Sequence, residues 1–310
     1  MGEELQSDLL RRLIDLAVDV SQGSYDRVDE LFLLTESGSH PPLIAELAEA
    51  FGMMIVQVEG REFRLQGLVR DLEHKNAELA ATLHKVEMLE HIRGHLGKFV
   101  PRAVSNLIDS APEAPDLAKR ERDVSVLFLD IAGYTKLSEK VETAQVNHLV
   151  EMYFSSFLDD IYRNHGDINE TAGDGLMIIF QDDDPLSHAQ AAVRTALAIG
   201  RRVQEINQRP DRPGEPVLVN QGINSGPALV GSSCFQGVAG TRWTFTATGP
   251  VTNLAARVAG LARNGQVLVG PETAQRVGQG FHLSSLGPQS LKNVEHPVEV
   301  FQVLGQDGQA

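Results

Sequence analysis

The sequence holds a single cysteine, Cys234, a single tryptophan, and aromatic residues amounting to only 5%. One thiol permits no intramolecular disulfide and no cysteine-based metal cluster, so a reducing, cytoplasmic setting is the expected one. Basic residues are scarce: 27 Lys and Arg stand against 42 Asp and Glu, a net charge of -15. That balance excludes a general nucleic-acid binder, whose affinity comes chiefly from Lys and Arg on backbone phosphates. It leaves room for a binder of small phosphates if divalent cations supply the local positive charge. Long apolar runs are also missing. The longest, Phe51 to Val58, falls well short of the roughly 20 residues that cross a bilayer. The first residues, MGEELQSDLLRRL, have neither the basic start nor the apolar centre of a signal peptide. A soluble chain with no membrane span is expected.

What is present is ordinary for a globular protein: 42% hydrophobic and 22% charged residues in 310, enough for a compact domain plus a smaller helical one. Residues 1–60 read as a helical region. Leu9, Leu10, Leu13, Leu16 and Ala17 share one helical face, with breaks at Gln22-Gly23-Ser24 and Ser37-Gly38-Ser39. Pro41 and Pro42 suit the first turn of a helix that can run to about residue 95. Within it, over 61–96, Leu65, Leu72, Leu79 and Val86 fall at heptad d positions and Val69, Asn76 and Leu83 at a positions. Leucine at d with one Asn at a is the composition of a parallel two-stranded coiled coil. A helix packed on its own domain with Asn76 at the rim is the alternative. Residues 97–117, including Ala111-Pro112-Glu113-Ala114-Pro115-Asp116, read as a linker.

From 118 to 306 the pattern alternates. Val124 to Ile131 reads as a buried strand, Leu137 to Arg163 as helix, and Asp167 to Ala172 with Leu176 to Phe180 as a hairpin across Gly173-Asp174-Gly175. Residues 185–207 form a helix. Val217 to Asn224 and Ala228 to Gly231 suggest a second hairpin, Val251 to Leu261 a helix, and Gln266 to Val269 with Val298 to Val303 the last strands. Helices inserted between hairpins predict an α+β fold with a ferredoxin-like βαββαβ sheet.

Asp130 ends an apolar strand just before Ala132-Gly133-Tyr134-Thr135, a small-residue turn that opens a helix. Such a turn can cradle phosphate oxygens with backbone N–H groups, and Asp there can equally be a helix cap. Asp174 sits in a Gly-Asp-Gly turn that needs no function to explain it. Together they mean more. In a ferredoxin-like sheet the first strand and the central hairpin are neighbours, so the two carboxylates can converge on hard divalent cations about 4 Å apart. Asn253 and Arg257, four residues apart in Gly249-Pro250-Val251-Thr252-Asn253-Leu254-Ala255-Ala256-Arg257, put two polar groups on one face of a largely apolar helix. Ser225, beside Gly226, has no His-and-acid constellation legible around it, and a turn role is expected.

Four ordered motifs, Phe128 to Thr135, Gly173-Asp174-Gly175, Gly222-Ile223-Asn224-Ser225-Gly226 and Gly249 to Arg257, together resemble the class III adenylate and guanylate cyclase family over residues 118–306. The resemblance implies that Asp130 and Asp174 hold two Mg²⁺ or Mn²⁺ ions, with the Ile131 carbonyl assisting. It implies that Asn253 and Arg257 stabilise the transition state, and that these two groups come from opposite subunits of a homodimer acting on a purine nucleoside triphosphate. Lys292 matches a family lysine near the triphosphate. Asn220 stands where one branch of the family has a phosphate-binding Arg, and Asn293 where Gly is common.

The same resemblance assigns base reading to Glu170 and Thr246. Adenylate cyclases carry Lys at the first position, whereas guanylate cyclases carry Glu, as here. A carboxylate accepts from both N1–H and N2–H₂ of guanine, but faces the N1 acceptor of adenine. Thr246 fits either base. A GTP cyclase is favoured, with an ATP cyclase and a catalytically silent nucleotide-binding regulatory module as alternatives. The Gly-Gly-Asp/Glu-Glu-Phe signature of diguanylate cyclases is absent, since Ala172 precedes Gly173-Asp174 and Gly175 follows.

Overall fold

The computed structural model describes residues 2–35, 41–210 and 215–308, and the chain divides into a helical unit up to Ile92 and a second unit from Arg93. The helical unit comprises α1 (Gly2–Ser21), α2 (Asp29–Leu34) and most of α3 (Pro42–Leu96). Leu9, Leu13 and Leu16 recur at helical spacing on α1 and bury against Leu31 and Leu34 of α2 and Ile44, Ala48 and Ile55 of α3. The break at Gln22-Gly23-Ser24 is present, with Gly23 at φ 78°. The one expected at Ser37-Gly38-Ser39 lies outside the described residues. Beyond Ile55 no residue of α3 is buried, and the heptad positions are open to solvent.

The stretch read as a linker contains a short helix, α4 (Arg102–Ser110). Its end is capped from afar: the Asp167 carboxylate accepts the backbone N–H groups of Arg102 and Ala103 at 2.8 and 2.9 Å. The Arg102 guanidinium lies 3.4 Å from the Tyr162 ring centroid, and Arg93 pairs with Asp109 at 2.8 Å. Local composition could not reveal a cap supplied by so distant a residue.

The rest alternates strand and helix: β1 (Arg120–Ile131), α5 (Tyr134–Lys140), α6 (Thr143–Arg163), β2 (Asp167–Ala172), β3 (Gly175–Phe180), α7 (Pro185–Asn207), β4 (Val219–Gly237), β5 (Gly240–Thr248), α8 (Pro250–Leu261), β6 (Val267–Val269), α9 (Pro271–Val277), β7 (Phe281–Gln289) and β8 (Val298–Gln306). The sheet order β2-β3-β1-β4-β6-β8-β7, with β5 paired to β4, contains the ferredoxin-like βαββαβ core in its first four strands.

Two expectations need correction. The helix read over Leu137 to Arg163 is two helices, α5 and α6, broken at Val141–Glu142. The hairpin read at Val217 to Gly231 is one continuous strand, β4, which pairs with β1 from Arg120↔Val230 to Ile131↔Val219. Gly226-Pro227 looked like a turn. Pro227 is tolerated because on its other side β4 pairs with β6 only at 221–223 and with β5 only from Leu229, so no ladder bond is lost there.

Strand alternation sorts β1 onto two faces. Leu127, Leu129 and Ile131 bury with Tyr153 and Phe157 of α6 and Ile199 of α7, while Val124 and Val126 bury with Val251 and Ala255 of α8. Asp130 therefore lies on the α8 side. That helix sits unusually close to the sheet: a Cβ at Gly222 would overlap the Ala259 backbone, so only glycine lets α8 rest on β4.

Candidate active site

Asp130 is the penultimate residue of β1, paired with Gly175 on one side and Asn220 on the other. The Ile131 N–H donates to the Asp174 carbonyl at 3.1 Å, which ties the β2–β3 turn to the end of β1. The two carboxylates are thereby brought together. Burial pushes the Asp130 carboxyl above its ordinary range and the Asp174 charge adds to the shift, while Arg263 and a hydrogen bond with Asn220 pull the other way. Among the described residues no group of three or more His, Cys, Asp or Glu forms a metal cage. Two crowded carboxylates at a half-open edge suit Mg²⁺ or Mn²⁺, which complete their shells with water and substrate oxygens.

Directly after Ile131, the Ala132 N–H is taken by the Leu218 carbonyl at 2.8 Å, Gly133 adopts φ 76°, and Tyr134 and Thr135 begin α5. The left-handed glycine makes the sharp strand-to-helix turn possible. It leaves the first N–H groups of α5 beside the carboxylate pair.

Glu170 lies on β2 opposite Met177, whose side chain belongs to the cluster under α8, so Glu170 shares the α8 face with Asp130. A bulge between Ile168 and Glu170 resets the alternation. Thr246 lies on β5, a strand in contact with β2, and its hydroxyl donates weakly to the Ala247 carbonyl at 3.4 Å. No hydrogen bond joins Glu170 to Thr246 among the described residues.

On α8, Val251, Ala255, Val258 and Ala259 form the buried stripe, and Asn253 and Arg257 stand on the opposite, exposed face. Lys292 is exposed in the turn between β7 and β8, next to Leu291, which buries with Val258 of α8. The following residue, Asn293, takes φ 62°, a left-handed conformation that Asn tolerates better than any other non-glycine residue, so the exchange of Gly for Asn preserves the turn. Asn220 is buried, and its Oδ1 accepts the Gly265 N–H at 3.2 Å.

Sequence reasoning missed a buried polar chain at the far end of β1. Ser225 Oγ lies 2.6 Å from Ser125 Oγ and 2.9 Å from Thr273 Oγ1, and Ser125 Oγ lies 2.9 Å from His188 Nδ1. His188 Nε2 is 3.2 Å from Asp123 Oδ1, near enough for charge attraction but not aligned for a hydrogen bond. Arg276 grips Asp123 with two bonds of 2.6 and 2.9 Å. Ser225 therefore does have a histidine and an acid behind it, and it lies in a strand rather than a turn. It is still no nucleophile, because Ser125, His188 and Ser225 are sealed from solvent.

Residues 117–305 match the adenylate and guanylate cyclase catalytic domain family. The chain belongs to that family. Among solved structures it is similar to the adenylyl cyclase CyaB from P. aeruginosa, with a TM-score of 0.56 and 27% identity over 61% of this chain and 96% of that one. It is also similar to the guanylyl cyclase Cya2, with a TM-score of 0.54 and 26% identity over 62% and 96% of the two chains. An uncharacterized protein of Mycobacterium tuberculosis, Rv1319c, is 31% identical over 176 residues, 56% of this chain and 30% of its own length. The chain thus spans under a third of that relative. An adenylyl and a guanylyl cyclase fit this cyclase domain about equally well, so the fold does not choose the base. Among the described residues, no helix is long and apolar enough to cross a membrane.

Proposed function

We propose that the protein is a homodimeric purine nucleotide cyclase that converts a nucleoside triphosphate, GTP in preference to ATP, to the 3′,5′-cyclic monophosphate and pyrophosphate. The observation that carries this reading is the convergence of Asp130 and Asp174 through the Ile131–Asp174 backbone bond. Bound divalent ions would lower the pKa of the ribose 3′-hydroxyl and neutralise the leaving pyrophosphate. The 3′-oxygen forms a bond to the α-phosphorus, the bond from that phosphorus to the bridging oxygen of the leaving group breaks, and the hydroxyl proton passes to water. Asp130, Asp174 and the Ile131 carbonyl would hold the ions, and the N–H groups of Gly133 to Thr135 would face the phosphates, the Ala132 N–H being already bonded to the Leu218 carbonyl.

Asn253 and Arg257 project from α8 away from their own sheet, an arrangement suited to completing the site of a second copy. There Asn253 would orient the ribose and Arg257 would stabilise charge developing on the α-phosphate, with Lys292 on the triphosphate. Glu170 and Thr246 would read the base. Glu170 favours guanine because a carboxylate accepts from two guanine donors and would oppose the adenine N1 lone pair.

Incubation of the full chain with Mn²⁺ and either GTP or ATP, with products identified by mass spectrometry, tests the reaction and the base together. Asp130→Ala and Asp174→Ala should each lower turnover by at least about a thousandfold while the fold persists. Retained turnover in both variants would refute the assignment, and folded wild-type protein that binds nucleotide without converting it would favour the silent module.

A further inference from the structure

A site that gathers two carboxylates and a triphosphate needs fixed positive charge from the protein as well as from ions, and neither Asp130, Asp174 nor the neutral Asn220 supplies any. Three segments converge where that charge is required. The first is the turn after β1, whose Ala132 N–H is bonded to Leu218 O at 2.8 Å. The second is the start of β4, where Asn220 lies directly across from Asp130. The third is the turn between α8 and β6, residues 263–266.

This third turn is fastened to β4 at two points. The Gly265 N–H donates to Asn220 Oδ1 at 3.2 Å, and the Gln221 N–H donates to the Gln266 carbonyl at 3.0 Å. Its shape is fixed internally by left-handed conformations at Asn264 and Gly265, φ 55° and 77°, and by the Arg263 N–H bonded to Gln266 Oε1 at 3.0 Å. The Arg263 guanidinium is held by one edge only. Nη1 donates to the carbonyls of Gly260 and Ala262, both at 2.8 Å. Among the described residues Arg263 has no carboxylate partner, and its side chain is exposed. An arginine anchored through one nitrogen, with its remaining donors unclaimed, on a turn bonded to the residue that pairs with Asp130, has the form of a phosphate clamp.

We propose that Arg263 binds the phosphate oxygens of the triphosphate held by Asp130 and Asp174 of its own chain. The proposal rests on the cyclase reading above. It gives α8 two duties in two different sites: Asn253 and Arg257 serve the partner's carboxylate pair, whereas the turn that ends the same helix serves its own. Asn220, lacking a charge, contributes by anchoring the turn that carries one.

The test uses the full chain. Calorimetry with 3′-deoxy-GTP and 3′-deoxy-ATP, which lack the attacking hydroxyl, should show affinity about ten- to a hundredfold weaker in Arg263→Ala, the range expected for losing a charge-assisted contact. Arg263→Lys should recover part of it, and KM should rise more than kcat falls. A role limited to capping α8 would instead lower the thermal midpoint and leave nucleotide affinity unchanged, which overturns the proposal.

Co-expressed pairs of differently tagged chains separate own-chain from partner action. Arg257→Ala paired with Arg263→Ala should regain activity, because one of the two sites then has every group intact. Asp130→Ala paired with Arg263→Ala should stay crippled, and equal recovery in both pairs overturns the proposal. Failure of Asp130→Ala and Arg257→Ala to rescue each other would strike the shared-site reading instead. The affinity measurement decides the role of Arg263 in either event.

Discussion

Leu65, Leu72 and Leu79 of α3 are 59%, 61% and 58% exposed, whereas Leu127 and Leu129 of β1 are 0% and 1% exposed. All five are leucines in regular structure, and the difference lies in what surrounds them. β1 is paired on both edges and covered on both faces within one chain, so its fold is complete. The seam of α3 has no cover in one chain, and burying each such side chain is worth roughly 1.5–3 kcal/mol. The cyclase unit is complete as a fold but, on the proposed reading, incomplete as a site, since Asn253 and Arg257 face outward. On that reading both regions are suited to the same thing, a second copy.

The sharpest way to break the contrast is to damage the part that is complete. Gly222→Val would drive a side chain into the Ala259 backbone where α8 crosses β4. It should cost on the order of 3 kcal/mol or more and abolish turnover, because α8 carries Asn253, Arg257 and the turn after them. The thermal midpoint of the cyclase unit should fall sharply while the helical unit still associates. An unchanged midpoint would mean that α8 can lift from the sheet.

Damage to the incomplete region should look different. Leu72→Asp combined with Leu79→Asp should make the chain monomeric in sedimentation, leave the cyclase unit folded, and make turnover per chain rise with protein concentration. A monomer with full turnover would refute a site shared between chains. A dimer that survives both changes would assign the seam to some other partner.

How much of this was legible in the sequence follows from the range of the interactions involved. The βαββαβ core could be read because alternation and helical spacing are local signals; Asp130 and Asp174 each have a local cap or turn explanation, and the pair was legible only through its order and spacing with Asn253 and Arg257 in motifs that resemble the cyclase family. β4 was misread because Gly226-Pro227 is a turn signal locally, and only its neighbours show why it is harmless there. The cap of α4 by Asp167 and the chain from Ser225 through His188 to Asp123 and Arg276 were invisible. Their members are scattered through the sequence, and Arg276 and Asp123 stand 153 positions apart. Arg263 was overlooked for a related reason: it lies outside the helical stripe that drew attention to Asn253 and Arg257.

A smaller effect sharpens what the site reads. Glu170→Lys should shift the ratio of kcat/KM for GTP over ATP toward ATP by one or two decades, about 1–3 kcal/mol. The fold should be unaffected, since Glu170 is exposed on β2. Parallel assays with both nucleotides measure it, and an unchanged ratio would remove Glu170 from base reading.

The smallest effect probes whether the completed core carries a pH dependence. Burial lowers the His188 pKa below its usual 6.5; Asp123 and Asp182 oppose this and Arg276 adds to it. The folded state therefore holds His188 neutral, and as pH falls through 6.5 the unfolded chain takes up the proton first. Stability from this group is complete above that value and declines as pH drops toward the folded pKa, with a slope limited to one proton, about 1.4 kcal/mol per pH unit. Asp123 behaves separately: its Arg276 partner lowers its pKa, so its contribution survives until pH falls below the ordinary carboxylate value of 3.8. Urea midpoints measured from pH 7.5 to 4.5 should fall in the wild type and fall less in His188→Gln, with the loss at lower pH common to both. Identical profiles over the upper range would mean that His188 gains its proton without cost inside the fold, and that the Ser225 chain is packing alone.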